Sequence, residues 1–376
     1  MDYHFMLKLV LALVTAGIVS FAATPLVKMF AIRVGAMDVP KDNRRMHKVP
    51  IPRLGGLAIF IAFLLGVLVF AKIDRQLQGI LLGAIMIVIL GVLDDILTLG
   101  ALPKLLVQIA AAAVAVYHGC VIDTLSNPNP FSADPWISLG GWSVPVTILW
   151  IVAITNAVNF IDGLDGLACG VSAISAASLF VISLLVSEGN VAVILAVLLG
   201  ACLGFIPYNF NPAKIFMGDT GATFLGYILA TISIMGLFKM YAVISFAVPF
   251  LILSVPIFDI CFAILRRLAK GQNPMTADRG HVHHRLIDMG FSQKQAVAIA
   301  YMITAILGLA AVVLTSSGEM KAMLFIGAVV VVVAIGVGVI YRQEPSKFQT
   351  PEEEKPDTPS PEGEQAEKEA QEEQDG

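Results

Sequence analysis

Residues 80–95 read I-L-L-G-A-I-M-I-V-I-L-G-V-L-D-D, an apolar run that ends on two adjacent aspartates. A second long run, Val191–Ile206, has the same character. A transmembrane helix needs roughly 20 mostly apolar residues, and both runs approach that length. Working outward, 57% of the 376 residues are hydrophobic and only 14% are charged. A soluble domain carries about 25% charged residues. The surplus is concentrated in runs, so the chain reads as an all-α polytopic membrane protein rather than as two or three soluble domains. About eleven spans are expected, near 6–24, 54–72, 77–93, 101–118, 144–158, 169–187, 190–207, 219–237, 243–266, 295–315 and 321–341. The first lacks a strongly basic leader and is followed by a second span, so it reads as an uncleaved helix and not a signal peptide.

The net charge of −4 conceals two opposed regions. Residues 344–376 carry 12 acidic and 3 basic residues, leaving 16 acidic and 21 basic residues in the rest of the chain. The expected organisation is therefore a basic membrane domain, 1–343, and an acidic tail, 344–376. The tail is rich in Glu, Pro and Gln and too poor in apolar residues to offset its ordering entropy, so it reads as disordered. The four cysteines, Cys120, Cys169, Cys202 and Cys261, form no C-x-x-C pair and read as small buried hydrophobes.

Charge also orients the chain. The loop after the first span holds Lys28, Arg33, Lys41, Arg44, Arg45, Lys48 and Arg53, and the loop after the ninth holds Arg266, Arg267, Lys270, Arg279, Arg285 and Lys294. The long loop of opposite parity, 119–143, has neither lysine nor arginine. Lys/Arg bias places the odd-numbered loops in the cytoplasm, the N-terminus outside and the C-terminus inside.

Four polar motifs fall in those same odd loops. Asp94-Asp95 open the third; two adjacent carboxylates at a membrane boundary are costly unless a proton or cation offsets them. The fifth reads N-A-V-N-F-I-D-G-L-D-G from Asn156 to Gly166. Its Asn159, Asp162 and Asp165 are spaced by three, so one helical turn can aim them together. The seventh holds Asp219-Thr220 at the start of an apolar helix, as an N-cap or as a cation-ligating carboxylate beside phosphate-favouring N–H groups. The ninth reads D-R-G-H-V-H-H-R from Asp278 to Arg285. His281, His283 and His284 flanked by Arg279 and Arg285 suit a pyrophosphate better than zinc, since no cysteine accompanies them. Carboxylates for Mg²⁺, cations for phosphate and a lipid boundary on one face suit phosphoryl transfer from a soluble nucleotide to a lipid. A transporter or flippase would place its ionisable residues nearer the bilayer midplane; Asp259, beside Pro256, is the main residue of that kind. A membrane scaffold acting through the acidic tail is a further alternative.

The runs Gly91–Ile96 (G-V-L-D-D-I), Pro103–Gln108 (P-K-L-L-V-Q), Asn156–Gly166, Phe210–Gly221 (F-N-P-A-K-I-F-M-G-D-T-G) and Asp278–Leu286 (D-R-G-H-V-H-H-R-L) resemble, in order, the polyprenyl-phosphate N-acetylhexosamine-1-phosphate transferases. The H-V-H-H-R-L run is similar to the TagO and WecA types, with the MraY type as the alternative. The resemblance implies transfer of GlcNAc-1-phosphate from UDP-GlcNAc to undecaprenyl phosphate at the cytoplasmic face of a cell membrane, releasing UMP. It implies Mg²⁺, with Mn²⁺ as a substitute, and no nucleic-acid partner, and it allows a homodimer. It further implies that Asp94 and Asp95 are the paired catalytic aspartates near the metal, with Asp94 handling the lipid phosphate. Asp219 would be the Mg²⁺ ligand, Asn159, Asp162 and Asp165 the nucleotide run, and Phe216 the aromatic on uracil. Lys48 and Lys104 would line the phosphate cleft, and Arg279, His281, His283 and His284 would lie near the diphosphate and sugar. Arg53 stands where the MraY type has threonine and receives no role. A TagO-like enzyme would serve wall teichoic acid synthesis.

Overall fold

The computed structural model describes residues 2–40, 49–126, 134, 136–236, 244–269, 271, 282–316 and 327. All of them lie within one compact unit, residues 1–330. Twelve α-helices are present among the described residues. They are α1 (Tyr3–Arg33), α2 (Gly56–Phe70), α3 (Arg75–Leu97), α4 (Ala101–Tyr117), α5 (Ser143–Phe160), α6 (Leu167–Leu185), α7 (Gly189–Asn209), α8 (Gly218–Gly236), α9 (Ile244–Ile252), α10 (Ser254–Ala269), α11 (Val282–Asp288) and α12 (Gln293–Ser316). Six of them, α1, α3, α5, α6, α7 and α12, are long and apolar enough to cross a membrane, and α2 and α4 are shorter apolar helices. The protein is a multi-pass membrane protein.

Helix α8 is the centre of the bundle. Every residue from Thr220 to Gly236 is buried, and α2, α3, α5, α6 and α7 pack around it. An all-round apolar helix has no face to offer solvent or lipid, so it belongs inside. Helix α1 is the opposite case: Val10, Ile18 and Leu26 project outward while Ala12, Ala16 and Ala31 face the bundle. Close helix approach in a membrane depends on small residues, because lipid offers no hydrophobic drive to pack helices. A Cβ on Gly91 would lie 2.4 Å from Thr220 Cα, and one on Gly56 would lie 2.1 Å from Gly221 Cα. Those two contacts seat α3 and α2 against the first turn of α8.

Several expectations need correction. The bundle is not purely helical: β1 (Met37–Asp38) pairs antiparallel with β2 (Ile51–Pro52), and β3 (Thr124–Ser126) with β4 (Trp136–Ser138). The first helix runs to Arg33, so Lys28 and Arg33 lie on its last turns and not in a loop. Asp94 and Asp95 lie inside the last turns of α3 and do not open the following loop. The expected ninth span is two helices, α9 and α10, broken at Leu253. Pro256 has no N–H to return to the Ile252 carbonyl four residues back, and that carbonyl instead accepts from Ser175 Oγ at 3.0 Å. A freed backbone group at membrane depth must find such a partner. The H-V-H-H-R segment is helical from Val282 onward. Apart from residue 327, the expected eleventh span lies outside the described residues, as does the acidic tail.

Candidate active site

The site is built on the N-terminus of α8. Gly218 enters the helix with φ +72°, a left-handed conformation that favours glycine. The first backbone N–H groups of a helix have no intrahelical partner. Here Asp95, from α3, supplies one: its carboxylate accepts from the Asp219 N–H at 3.1 Å, from the Thr220 N–H at 3.0 Å and from the Thr220 hydroxyl at 2.7 Å. The cap thus comes from a neighbouring helix, and a carboxylate there is further favoured by the helix dipole. Asp95 Oδ1 also accepts from Arg53 Nε at 3.0 Å and pairs with an Arg53 terminal nitrogen at 2.9 Å. The Asp95 side chain is fully buried.

Asp94 and Asp219 share a different cation. Lys104 Nζ, from α4, lies 2.7 Å from Asp94 Oδ2 and 2.8 Å from Asp219 Oδ2. The second oxygen of Asp94 accepts from the Leu99 N–H at 2.7 Å, and Asn159 Nδ2 reaches Asp219 Oδ2 at 3.4 Å. One turn after Lys104 on α4 and one turn before Asn159 on α5, Gln108 and Asn156 exchange amide hydrogen bonds of 3.3 and 2.6 Å. That pair fixes the two helices that present Lys104 and Asn159.

A cavity of about 560 Å³ opens on one side of Asp219, within the usual size of a ligand site. It is lined by Asn159, Asp162, Asp165, Asp219, Phe216 and His284, together with Asp38 and Arg53 from the α1–α2 connection and Asn211 and Gln293. The wall is tied together across the chain. Asn211 Nδ2 donates to Asp165 at 2.9 Å and to Gln293 at 2.8 Å, and Asp165 also accepts from the Ala213 N–H at 3.0 Å. Tyr301 of α12 donates to the Gly166 carbonyl at 2.6 Å. Phe216 is held by backbone bonds to the segment around Arg53: its N–H donates to the Pro52 carbonyl at 2.8 Å and its carbonyl accepts from the Gly55 N–H at 2.9 Å. Asp162, in the turn between α5 and α6, has its carboxyl pushed up to about 8, first by burial and then by the Asp219 and Asp95 carboxylates, with Arg53 opposing.

The expected residues therefore divide. Asn159, Asp162, Asp165, Phe216, Asp219 and His284 line one cavity. Asp94, Asp95 and Lys104 lie behind it and meet it through Asp219. Lys48, Arg279 and His281 lie outside the described residues, as does the side chain of His283. Asp38, Asn211 and Gln293 were not singled out from the sequence. Asn211 lies in a motif that was read, but nothing adjacent to Gln293 signals that the start of α12 returns to the site. Asp259, flagged for its depth, is buried and accepts from the Val282 N–H at 2.8 Å, which ties α10 to the histidine-bearing helix α11.

Among the described residues, no three Asp, Glu, His or Cys side chains are arranged to hold a metal ion. The oxygens of Asp94 and Asp219 that converge on Lys104 Nζ form a hard, anionic donor pair. That suits Mg²⁺, which is commonly held by one or two carboxylates plus substrate phosphates. Asp95 fits this role less well, since its oxygens are already engaged by Arg53 and by the start of α8.

The family model of glycosyl transferase family 4 matches residues 77–237, the stretch that contains Asp94, Asp95, Lys104, the Asn159–Asp165 run and Asp219. A Bacillus subtilis protein with the name probable undecaprenyl-phosphate N-acetylglucosaminyl 1-phosphate transferase is 42% identical over 83% of this chain and 86% of its own length. The chain belongs to glycosyl transferase family 4. A decaprenyl-phosphate N-acetylglucosaminephosphotransferase of Mycolicibacterium smegmatis is 34% identical over 92% of this chain and 91% of its own length. A phospho-N-acetylmuramoyl-pentapeptide-transferase of Clostridium beijerinckii is 32% identical over 72% of this chain and 85% of its own. The Bacillus subtilis and Mycolicibacterium smegmatis relatives support the TagO/WecA type within family 4.

Proposed function

We propose that this family 4 transferase moves N-acetylglucosamine-1-phosphate from UDP-GlcNAc to undecaprenyl phosphate, releasing UMP, at the cytoplasmic face of a cell membrane. The carrying observation is the position of Asp219. It lines the donor-sized cavity on one side and, through Lys104, joins Asp94 on the other. A nucleotide sugar in the cavity and a lipid phosphate at Lys104 and Asp94 would meet at Asp219.

In this reading Asn159, Asp162 and Asp165 receive the nucleoside and Phe216 offers a ring face to its base. Lys104 draws the lipid phosphate to Asp94, which orients it and takes its proton where it carries one. An oxygen of the lipid phosphate attacks the β-phosphorus of the donor, and the bond from that phosphorus to the bridging oxygen breaks with its electron pair on UMP. A two-step route through a phosphorylated aspartate would use the same residues, and trapping a covalent sugar-phosphate enzyme would favour it. Asp219, with Asp94 beside it, would hold Mg²⁺, which when bound neutralises diphosphate charge and stabilises the leaving group. The relatives' names support a polyprenyl phosphate acceptor; delivery into wall teichoic acid rests on the sequence likeness alone.

The test uses purified full-length protein in detergent with UDP-GlcNAc, undecaprenyl phosphate and Mg²⁺. UMP and the lipid-linked sugar should appear in equal amounts. Folded protein that releases no UMP under those conditions would overturn the reading.

A further inference from the structure

We infer that Arg53 is a diphosphate-binding residue of this site, contacting the phosphoryl oxygens of the nucleotide donor. The inference rests on the donor reading above and extends it to a residue that motif likeness leaves without a role.

The first observation is charge balance. The described carboxylates lining the cavity are Asp38, Asp162, Asp165 and Asp219, and the one lysine or arginine among its described lining residues is Arg53. A nucleoside diphosphate brings further negative charge into that wall, and Lys104 lies behind Asp219 rather than in the lining. The second observation is preorganisation. The Arg53 backbone is fixed on both sides, by its N–H to the Ala36 carbonyl at 3.0 Å and by a parallel bridge to Phe216. Its Nε and one terminal nitrogen both address Asp95 Oδ1, at 3.0 and 2.9 Å. A guanidinium carries five N–H donors in a planar fork, so the Asp95 contacts leave the other edge for the cavity that the side chain lines. Its side chain is 23% exposed while Asp95 is fully buried. The charge is therefore held from behind and presented in front.

The third observation is the neighbour. The bridge that fixes Arg53 fixes Phe216, the ring assigned to the nucleobase, so base and phosphate contacts come from one rigid backbone unit. A planar, always-charged guanidinium matches phosphate oxygens in two-point geometry, which a lysine cannot reproduce. A donor held in place before charge shifts in the transition state costs no reorganisation at the moment of transfer.

The test compares the binding of uridine and of UDP to the full chain in detergent by calorimetry, in wild type, Arg53→Lys and the double variant Arg53→Met with Asp95→Asn. The double variant removes both charges, so no buried carboxylate is left unpaired. Wild type should prefer UDP over uridine, and both variants should lose about tenfold or more of that preference while keeping uridine affinity. A preference unchanged in both variants would overturn the inference and leave Arg53 as a support for Asp95 alone. A wild type that binds uridine and UDP equally would instead overturn the donor reading, and the Arg53 assignment with it.

Discussion

Three aspartates at this site differ in what their oxygens already hold, and that decides what each substitution does. Asp95 is a trans-helix cap paired with Arg53, buried and engaged on both oxygens. Asp95→Ala would leave a half-buried guanidinium and two helix N–H groups without their acceptor, at a cost of about 3 kcal/mol or more. Thermal unfolding in detergent should show the loss, and Asp95→Asn should recover part of it because an amide oxygen still accepts. Asp219 is only partly buried and joins both half-sites. Asp219→Asn should keep the melting temperature near wild type and lower turnover by about a thousandfold or more, since several kcal/mol of charge stabilisation go with the cation; near-normal UMP release would refute its role. Asp162 is the pH-sensitive member. Its folded pKa of about 8 lies above the ordinary carboxylate value, so between about pH 4 and 8 the unfolded chain binds fewer protons than the folded one, and stability falls as pH rises through that window. In metal-free buffer the wild-type melting temperature should drop from pH 6 to pH 9, and Asp162→Asn, which mimics the protonated acid, should flatten that drop.

At the scale of elements, the site is precise because α2 and α3 approach α8 at glycines. Gly91→Ala would drive a methyl group into Thr220 Cα, a backbone atom that cannot rotate away. The expected cost is about 1–3 kcal/mol, together with displacement of Asp95 from the start of α8 and loss of turnover. Gly141→Ala, where a Cβ would meet nothing within 4 Å, is the control and should match wild type in both measurements. The helices were largely legible in the sequence because apolar runs of span length have few other readings, and the short turn between the expected spans 169–187 and 190–207 was equally plain. The break between α9 and α10 was harder to see. Pro249 and Pro256 both sit in an apolar run, and only the position of Ser175 on α6 shows where the freed carbonyl of Ile252 goes. The short strands were missed because a two-residue pairing such as Met37–Asp38 with Ile51–Pro52 leaves no periodic trace. The candidate site was legible where its residues cluster in motifs, as in Asn159–Asp165. It was illegible where one residue arrives alone from a distant segment, as Gln293 does through Asn211.

For the molecule as a whole, the odd-numbered connections meet at one cavity. The α1–α2 connection brings Asp38 and Arg53, the α5–α6 turn brings Asp162 and Asp165, the α7–α8 segment brings Asn211 and Phe216, and the stretch entering α12 brings His284 and Gln293. The connections of other parity meet elsewhere: the Lys72 N–H, after α2, donates to Asn190 Oδ1 at the start of α7 at 2.8 Å. The basic residues that set the orientation occupy the first group, so Lys/Arg bias predicts that the cavity faces the cytoplasm, where nucleotide sugars are made. Cysteine labelling can test this directly. Cys120, Cys169 and Cys202 are buried and Cys261 is exposed, so Cys261→Ser gives a silent background. On that background Lys72→Cys and Lys214→Cys place single exposed thiols on the two sets of connections. A membrane-impermeant maleimide applied to intact cells should label Lys72→Cys and spare Lys214→Cys, and inverted vesicles should reverse the pattern. Labelling of Lys214→Cys from outside would place the cavity on the wrong side for a cytoplasmic donor. It would leave the geometry around Asp219 intact while removing the supply of substrate that the proposed reaction requires.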